Sequence, residues 1–147
     1  MILSAEATFS DAQALTATAR STNVIDLGSP GTVLNAPAAL VRDIGKGTPI
    51  PVRVQLDVAA GGTSPTLVVA LEMDTVANFA SATVLMTSGT KAGGAAGDRI
   101  DTLYILPHEI TEQFISLNYT LGGTTPTYTV TSFIPLADHS SDGVAGV

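Results

Sequence analysis

An all-β, antiparallel fold is what this sequence predicts, and three stretches carry the prediction. In Pro51 to Ala59 the side chains of Val52, Val54, Leu56 and Val58 point one way and those of Arg53, Gln55 and Asp57 the other. That period-two pattern belongs to a strand with one buried and one wet face. Thr66 to Asp74 repeats it, with Leu67, Val69, Leu71 and Met73 on one face. So do Ile115, Leu117, Tyr119 and Leu121, with Ser116, Asn118 and Thr120 opposite. The pattern leaves no room for a helical layer.

Residues 1–14, MILSAEATFSDAQA, carry Met1, Ile2, Leu3 and Phe9 without alternation. They read either as a first strand or as an arm whose four apolar side chains make a protein–protein contact. Strands are expected over Leu15 to Ala19 and Asn23 to Leu27, closed by a turn at Gly28, Pro30 and Gly31. Ser29 to Val41, with Pro37 among small residues, reads as a loop, and RDIGKGTP at 42–49 as a tight connection into the best strand. AGGTSP at 60–65 reads as a hairpin-type turn, KAGGAAGD at 91–98 as a flexible loop, and GGTTP at 122–126 as a turn into a last strand over Thr127 to Pro135. Further strands are expected at Ala82 to Thr87, Ile100 to Leu106 and Gln113 to Leu121. Seven or eight short strands suit an antiparallel two-sheet sandwich over residues 15–136, with jelly-roll and immunoglobulin-like topologies both open on pattern alone. The tail, 137–147, is expected to be loose, and no internal repeat is apparent.

With 147 residues the chain fits one domain able to bury roughly 70% of its unfolded surface. Cysteine is absent, which removes disulfides and thiolate metal sites. The N-terminus has neither a basic n-region nor a continuous apolar run, so synthesis and residence in a cytoplasm is the expectation. Thirteen acidic against six basic residues give a formal charge of −7, and no Lys or Arg follows Arg99. Such a surface repels phosphate backbones and anionic headgroups, so neither nucleic acid nor membrane is an expected partner. Only 13% of residues are charged while 45% are apolar, a lean exterior that points to cover by other copies of the chain.

Little in the sequence can do chemistry. Gly45-Lys46-Gly47-Thr48 invites comparison with a phosphate loop, but the G-x-x-x-x-G-K-[ST] spacing is missing and the segment leads into a strand, not a helix. His108 and His139 stand on different loops; Asp138, His139 and Asp142 form a local cluster in a segment too loose for fixed ligand geometry. Glu72 with Asp74, and Glu109 with Glu112, are the candidate acid–base pairs, and solvated positions explain all four. There is no G-x-S-x-G elbow and no plausible Ser-His-Asp set. Asn118-Tyr119-Thr120 fits a glycosylation acceptor only by chance, since it lies mid-strand. No enzymatic activity, metal or cofactor is expected.

Four segments in order, MILSAEATFSDAQALTA, STNVIDLG, RDIGKGTPIPVRVQLD and ISLNYTLGG, resemble the cement or decoration proteins that coat the heads of tailed bacteriophages. The likeness runs from about Met1 to Ile134, departing at Ser29 to Val41, which is longer than the usual link. The resemblance implies a jelly-roll fold, self-association as a dimer or trimer, and attachment to the major capsid protein on the outer surface of a virion assembled in a bacterial host. It supplies no catalytic residue. A carbohydrate- or receptor-binding module of a phage tail or fibre is the alternative from another class. Three Tyr and no Trp count against it, because sugar rings need an aromatic platform.

Overall fold

The computed structural model describes residues 5–32, 34–38, 40 and 47–135. Among them the strands are Thr8–Leu15 (β1), Ala19–Arg20 (β2), Ile25–Asp26 (β3), Ile50–Asp74 (β4), Thr83–Thr87 (β5), Lys91–Ala92 (β6), Arg99–Ile105 (β7) and Phe114–Phe133 (β8). Two short 3-10 segments, Ala5–Ala7 and Pro107–Glu109, are the only helical turns among the described residues. All pairings are antiparallel and join one continuous sheet: β1-β8-β4-β5 in order, with β2 and β3 also on β8, and β6 and β7 also on β4.

The ribbon formed by β4 and β8 is the spine of this sheet. Its ladder runs from Arg53↔Phe133 to Asp74↔Phe114, so AGGTSP and GGTTP do not reverse the chain as expected. The two Gly-rich segments lie opposite one another in the ladder, Gly61 against Thr127 and Thr66 against Gly122, and together they bend the ribbon. A short repeat escapes a search for larger units: GGTSPT at 61–66 and GGTTPT at 122–127. Antiparallel pairing centred on Thr63↔Thr124 makes the two copies equivalent about a local two-fold. Their backbones agree, with φ of 102° at Gly62 and 100° at Gly123, and 49° at Ser64 and 48° at Thr125. A Cβ at Gly62 would meet the Thr125 carbonyl oxygen, and one at Gly123 the Ser64 carbonyl oxygen, so both positions need glycine.

Beyond the bend the ribbon is doubled over. Tyr119 and Ser132 both belong to β8 and are 13 positions apart, yet their hydroxyls lie 2.6 Å from one another. An extended strand of that length spans about 40 Å, several times what two side chains can bridge. The doubled sheet buries Val52, Val54 and Leu56 from one half of β4 with Leu67, Val69 and Leu71 from the other in one core. From β8 the same core takes Ile115, Leu117 and Tyr119, then Tyr128 and Val130. The inward phase moves from even to odd numbers along β4 because bulges interrupt its ladder between Leu56 and Thr66. The first of these turns Val58, expected inside, out to solvent.

The N-terminal expectation needs correction at Phe9. Its side chain is 0% exposed and belongs to the chain's own core, so it is no contact for a neighbour. Thr8–Leu15 is a core strand paired along β8 from Phe133 to Tyr128, while the strand expected over Leu15 to Ala19 gives way to a bend at 16–18. Bulges between Thr8 and Ser10 and between Ser10 and Gln13, with Ala12 at φ 44°, bury Phe9 and Ser10 in succession and erase the alternation. Met1, Ile2 and Leu3 lie outside the described residues, as does the tail 137–147. The loop at 91–98 is fastened to its surroundings: Gly93 donates its N–H to the Pro65 carbonyl, Ala60 to that of Gly94, and Gly97 to that of Leu56.

Candidate functional site

Every cluster of polar groups in the interior closes on itself. Ser10, on β1, and Ser132, near the end of β8, both reach the Tyr119 hydroxyl, at 2.8 and 2.6 Å. Burial pushes the Tyr119 phenol above its ordinary pKa of 10.0, and its two serine partners only partly offset this.

Glu72 and Asp74, expected in water, are 5% and 3% exposed. Glu72 takes hydrogen bonds from Arg20 at 2.7 Å and from the Asn118 amide at 3.1 Å. Arg20 in turn lies over the Phe79 ring, 4.2 Å from its centroid. Asp74 accepts the backbone N–H of Ser81 at 2.8 Å and of Val76 at 3.2 Å, and the Thr75 hydroxyl at 3.2 Å. The Ser81 N–H contributes most to holding this carboxyl below the ordinary carboxylate range, against the opposing effect of burial. The segment after β4 therefore folds back over the outer face of the strand and covers both acids. Phe79, buried there at φ 52°, is a bulky residue in left-handed backbone, held by its cover over Arg20. Paired in this way, the carboxylates are structural ties.

His108 is exposed and meets Glu109, its sequence neighbour, at 3.8 Å. His139, Asp138 and Asp142 lie outside the described residues, as do Gly45 and Lys46. Among the described residues no group of three or more His, Asp or Glu is placed to hold a metal ion. No helix among them is long and apolar enough to cross a membrane.

What the described surface offers is apolar. Leu27, Leu34, Leu40, Ile50, Val58, Val76, Val84 and Tyr104 all stand exposed, Leu34 at 88%. At the end of the ribbon away from the bend an open groove of about 240 Å³ is lined by Ile25, Leu27, Ile50, Ile105, Pro107, Ile110, Ile115 and Ile134. These residues come from β3 and the residue after it, the start of β4, the end of β7, the Pro107–Glu109 segment and its successor, the start of β8 and the residue after its end. The sequence reading did not assemble them. The available signal was the recurrence of isoleucine at strand ends, where a side chain meant for a strand's interior has no reason to gather. A second, mixed groove of about 360 Å³ runs beside β1, lined by Ala5, by Thr8 to Asp11 and by Thr22 and Asn23.

A protein-family model described as Bbp16 matches residues 9–134, which takes in every strand described above apart from the first residue of β1. No curated protein matches the chain.

Proposed function

The chain belongs to the Bbp16 family, and we propose that it is a structural virion protein, a cement or decoration protein that binds the outside of a phage head. The observation that carries this reading is the contrast between its interior and its surface. Of the four carboxylates expected in water, Glu72 and Asp74 are spent on internal ties, while among the described residues eight large apolar side chains are left exposed. Side chains of that kind are what a partner surface would cover. The resemblance of its segments to cement proteins supplies the partner, the major capsid protein, whose neighbouring subunits it would hold together.

The doubled sheet suits the jelly-roll type. One layer takes β1, the later half of β8, the earlier half of β4 and β7; the other takes β2 and β3, the earlier half of β8, the later half of β4, and β5 with β6. Modest apolar contacts repeated over a lattice add through effective concentration, so no single contact need be tight. Self-association as a dimer or trimer fits the lean charge of the exterior. A charge of −7 keeps the protein away from packaged DNA and from lipid headgroups.

Co-sedimentation tests the reading. Purified protein mixed with expanded heads that lack it should pellet with them and saturate at a fixed ratio to capsid subunits. Failure to pellet with heads, together with binding to the host envelope, would move the protein to the receptor-binding class. Among the exposed large apolar side chains of the described residues, Tyr104 is the one aromatic.

A further inference from the structure

We propose that Met86 is a site of oxidative modification, and that its oxidation by a peroxide unfastens β5 from β7. The proposal stands independently of the capsid reading. Its support is a hydrogen bond that closes one side of the doubled sheet. Tyr104, on β7, lies opposite Pro51 in the ladder with β4, and its backbone N–H turns away from that ladder to the Met86 thioether, 3.3 Å distant. Met86 belongs to β5, which pairs with the other half of β4, at Leu71. Among the described residues this is the one hydrogen bond between β5 and β7. An edge N–H ordinarily finds water or another strand, and a thioether is a weak acceptor. The clasp therefore depends on the chemical state of one sulfur.

Burial sets Met86 apart from the other described methionine. Met86 is only half-buried against the core, whereas Met73 is 7% exposed, with the Thr111 hydroxyl 3.8 Å from its sulfur. A thioether has two lone pairs, and the Tyr104 N–H engages one of them. Attack on hydrogen peroxide falls to the other. A sulfur–oxygen bond forms, the oxygen–oxygen bond breaks, and the second oxygen takes the proton of the first and leaves as water. Sulfur gives up two electrons and the peroxide is reduced. The product is a polar, chiral sulfoxide: its electron-poor sulfur no longer accepts the Tyr104 N–H, and its oxygen cannot stay against an apolar core without a partner. At this point β5 parts from β7.

Dilute hydrogen peroxide acting on the unaltered full chain is the direct test, read by peptide mapping and by amide hydrogen exchange. Met86 should oxidise at least about tenfold faster than Met73. One sulfoxide epimer should dominate, identified by which of the two epimer-specific sulfoxide reductases removes it, since exposure alone would yield both. Protection of the Tyr104 amide should fall at least about tenfold on oxidation, while the Leu117 amide, bonded to the buried Ser21 hydroxyl, keeps its rate. Met86→Leu keeps the bulk without the sulfur, so peroxide should leave its Tyr104 exchange unchanged. Oxidation of Met73 as fast as Met86 would overturn the proposal, as would an even mixture of epimers. Oxidised Met86 with unaltered Tyr104 exchange would show that the sulfur is no clasp, and an equal loss of protection at Leu117 would replace local parting by general unfolding; either result would overturn it.

Discussion

Tyr119 is the residue on which the doubling of β8 can be tested most locally, since its hydroxyl joins Ser10 on β1 to Ser132 on the far half of its own strand. Tyr119→Phe keeps the ring but leaves two buried serine hydroxyls short of a partner. It should lower stability by about 1–3 kcal/mol in denaturant unfolding at neutral pH. The phenol's pKa is raised on folding, so its contribution is fully present below about pH 10 and is lost as pH rises through the folded value. The parent protein should therefore lose stability above pH 10 more steeply than Tyr119→Phe. Asp74 has the opposite sign: its carboxyl is lowered on folding, chiefly by the Ser81 N–H, so its contribution is present above about pH 4 and is lost as pH falls through the folded value. The melting temperatures of the parent and of Asp74→Asn should differ at pH 7 and converge as pH falls below 4. A gap that stays constant would mean that the charge on Asp74 is not what the loop uses. Burial at this scale was only partly legible. Leu67, Val69, Leu71, Ile115 and Leu117 were readable from alternation, because their strands are regular where they lie. Phe9 and Val58 were not, because a bulge changes which face a residue takes and leaves no mark in composition.

At the scale of elements the bend in the β4–β8 ribbon decides the architecture. Gly62→Ala and Gly123→Ala each place a Cβ against a backbone carbonyl at positive φ, and the local two-fold makes the two sites alike. Each should cost about 1–3 kcal/mol, measured by chemical unfolding, with similar values for both. Gly89→Ala is the control, since nothing lies within 4 Å of its added Cβ and its φ is not in the left-handed region; it should be neutral or stabilising by up to about 1 kcal/mol. Two strands joined by a tight turn and one strand passing through a bend share a local signature of Gly, Thr and Pro between alternating runs. Pairing partners tell them apart, and these are set by residues some sixty positions away, Gly61 against Thr127 and Thr66 against Gly122. The same long-range pairing hides the groove, whose isoleucines come from five separate segments.

For the whole molecule, the class of fold was legible because alternation and turn residues are local properties, and the all-antiparallel sheet follows from them. The exposed apolar surface was foreshadowed by the low proportion of charged residues, but which side chains compose it depends on how β4 and β8 fold over one another. Glu72 and Asp74 show the limit of the local view: a polar face becomes an interior once a loop bearing Phe79 closes over it. Under the proposed cement role, each bound copy favours the assembled state of the head by mass action. The temperature at which packaged DNA escapes from phage heads, followed with a DNA-binding dye, measures this directly. Heads carrying the protein should release DNA at a higher temperature than heads lacking it, with the difference restored by adding purified protein back. Equal release temperatures with and without it would contradict the cement role.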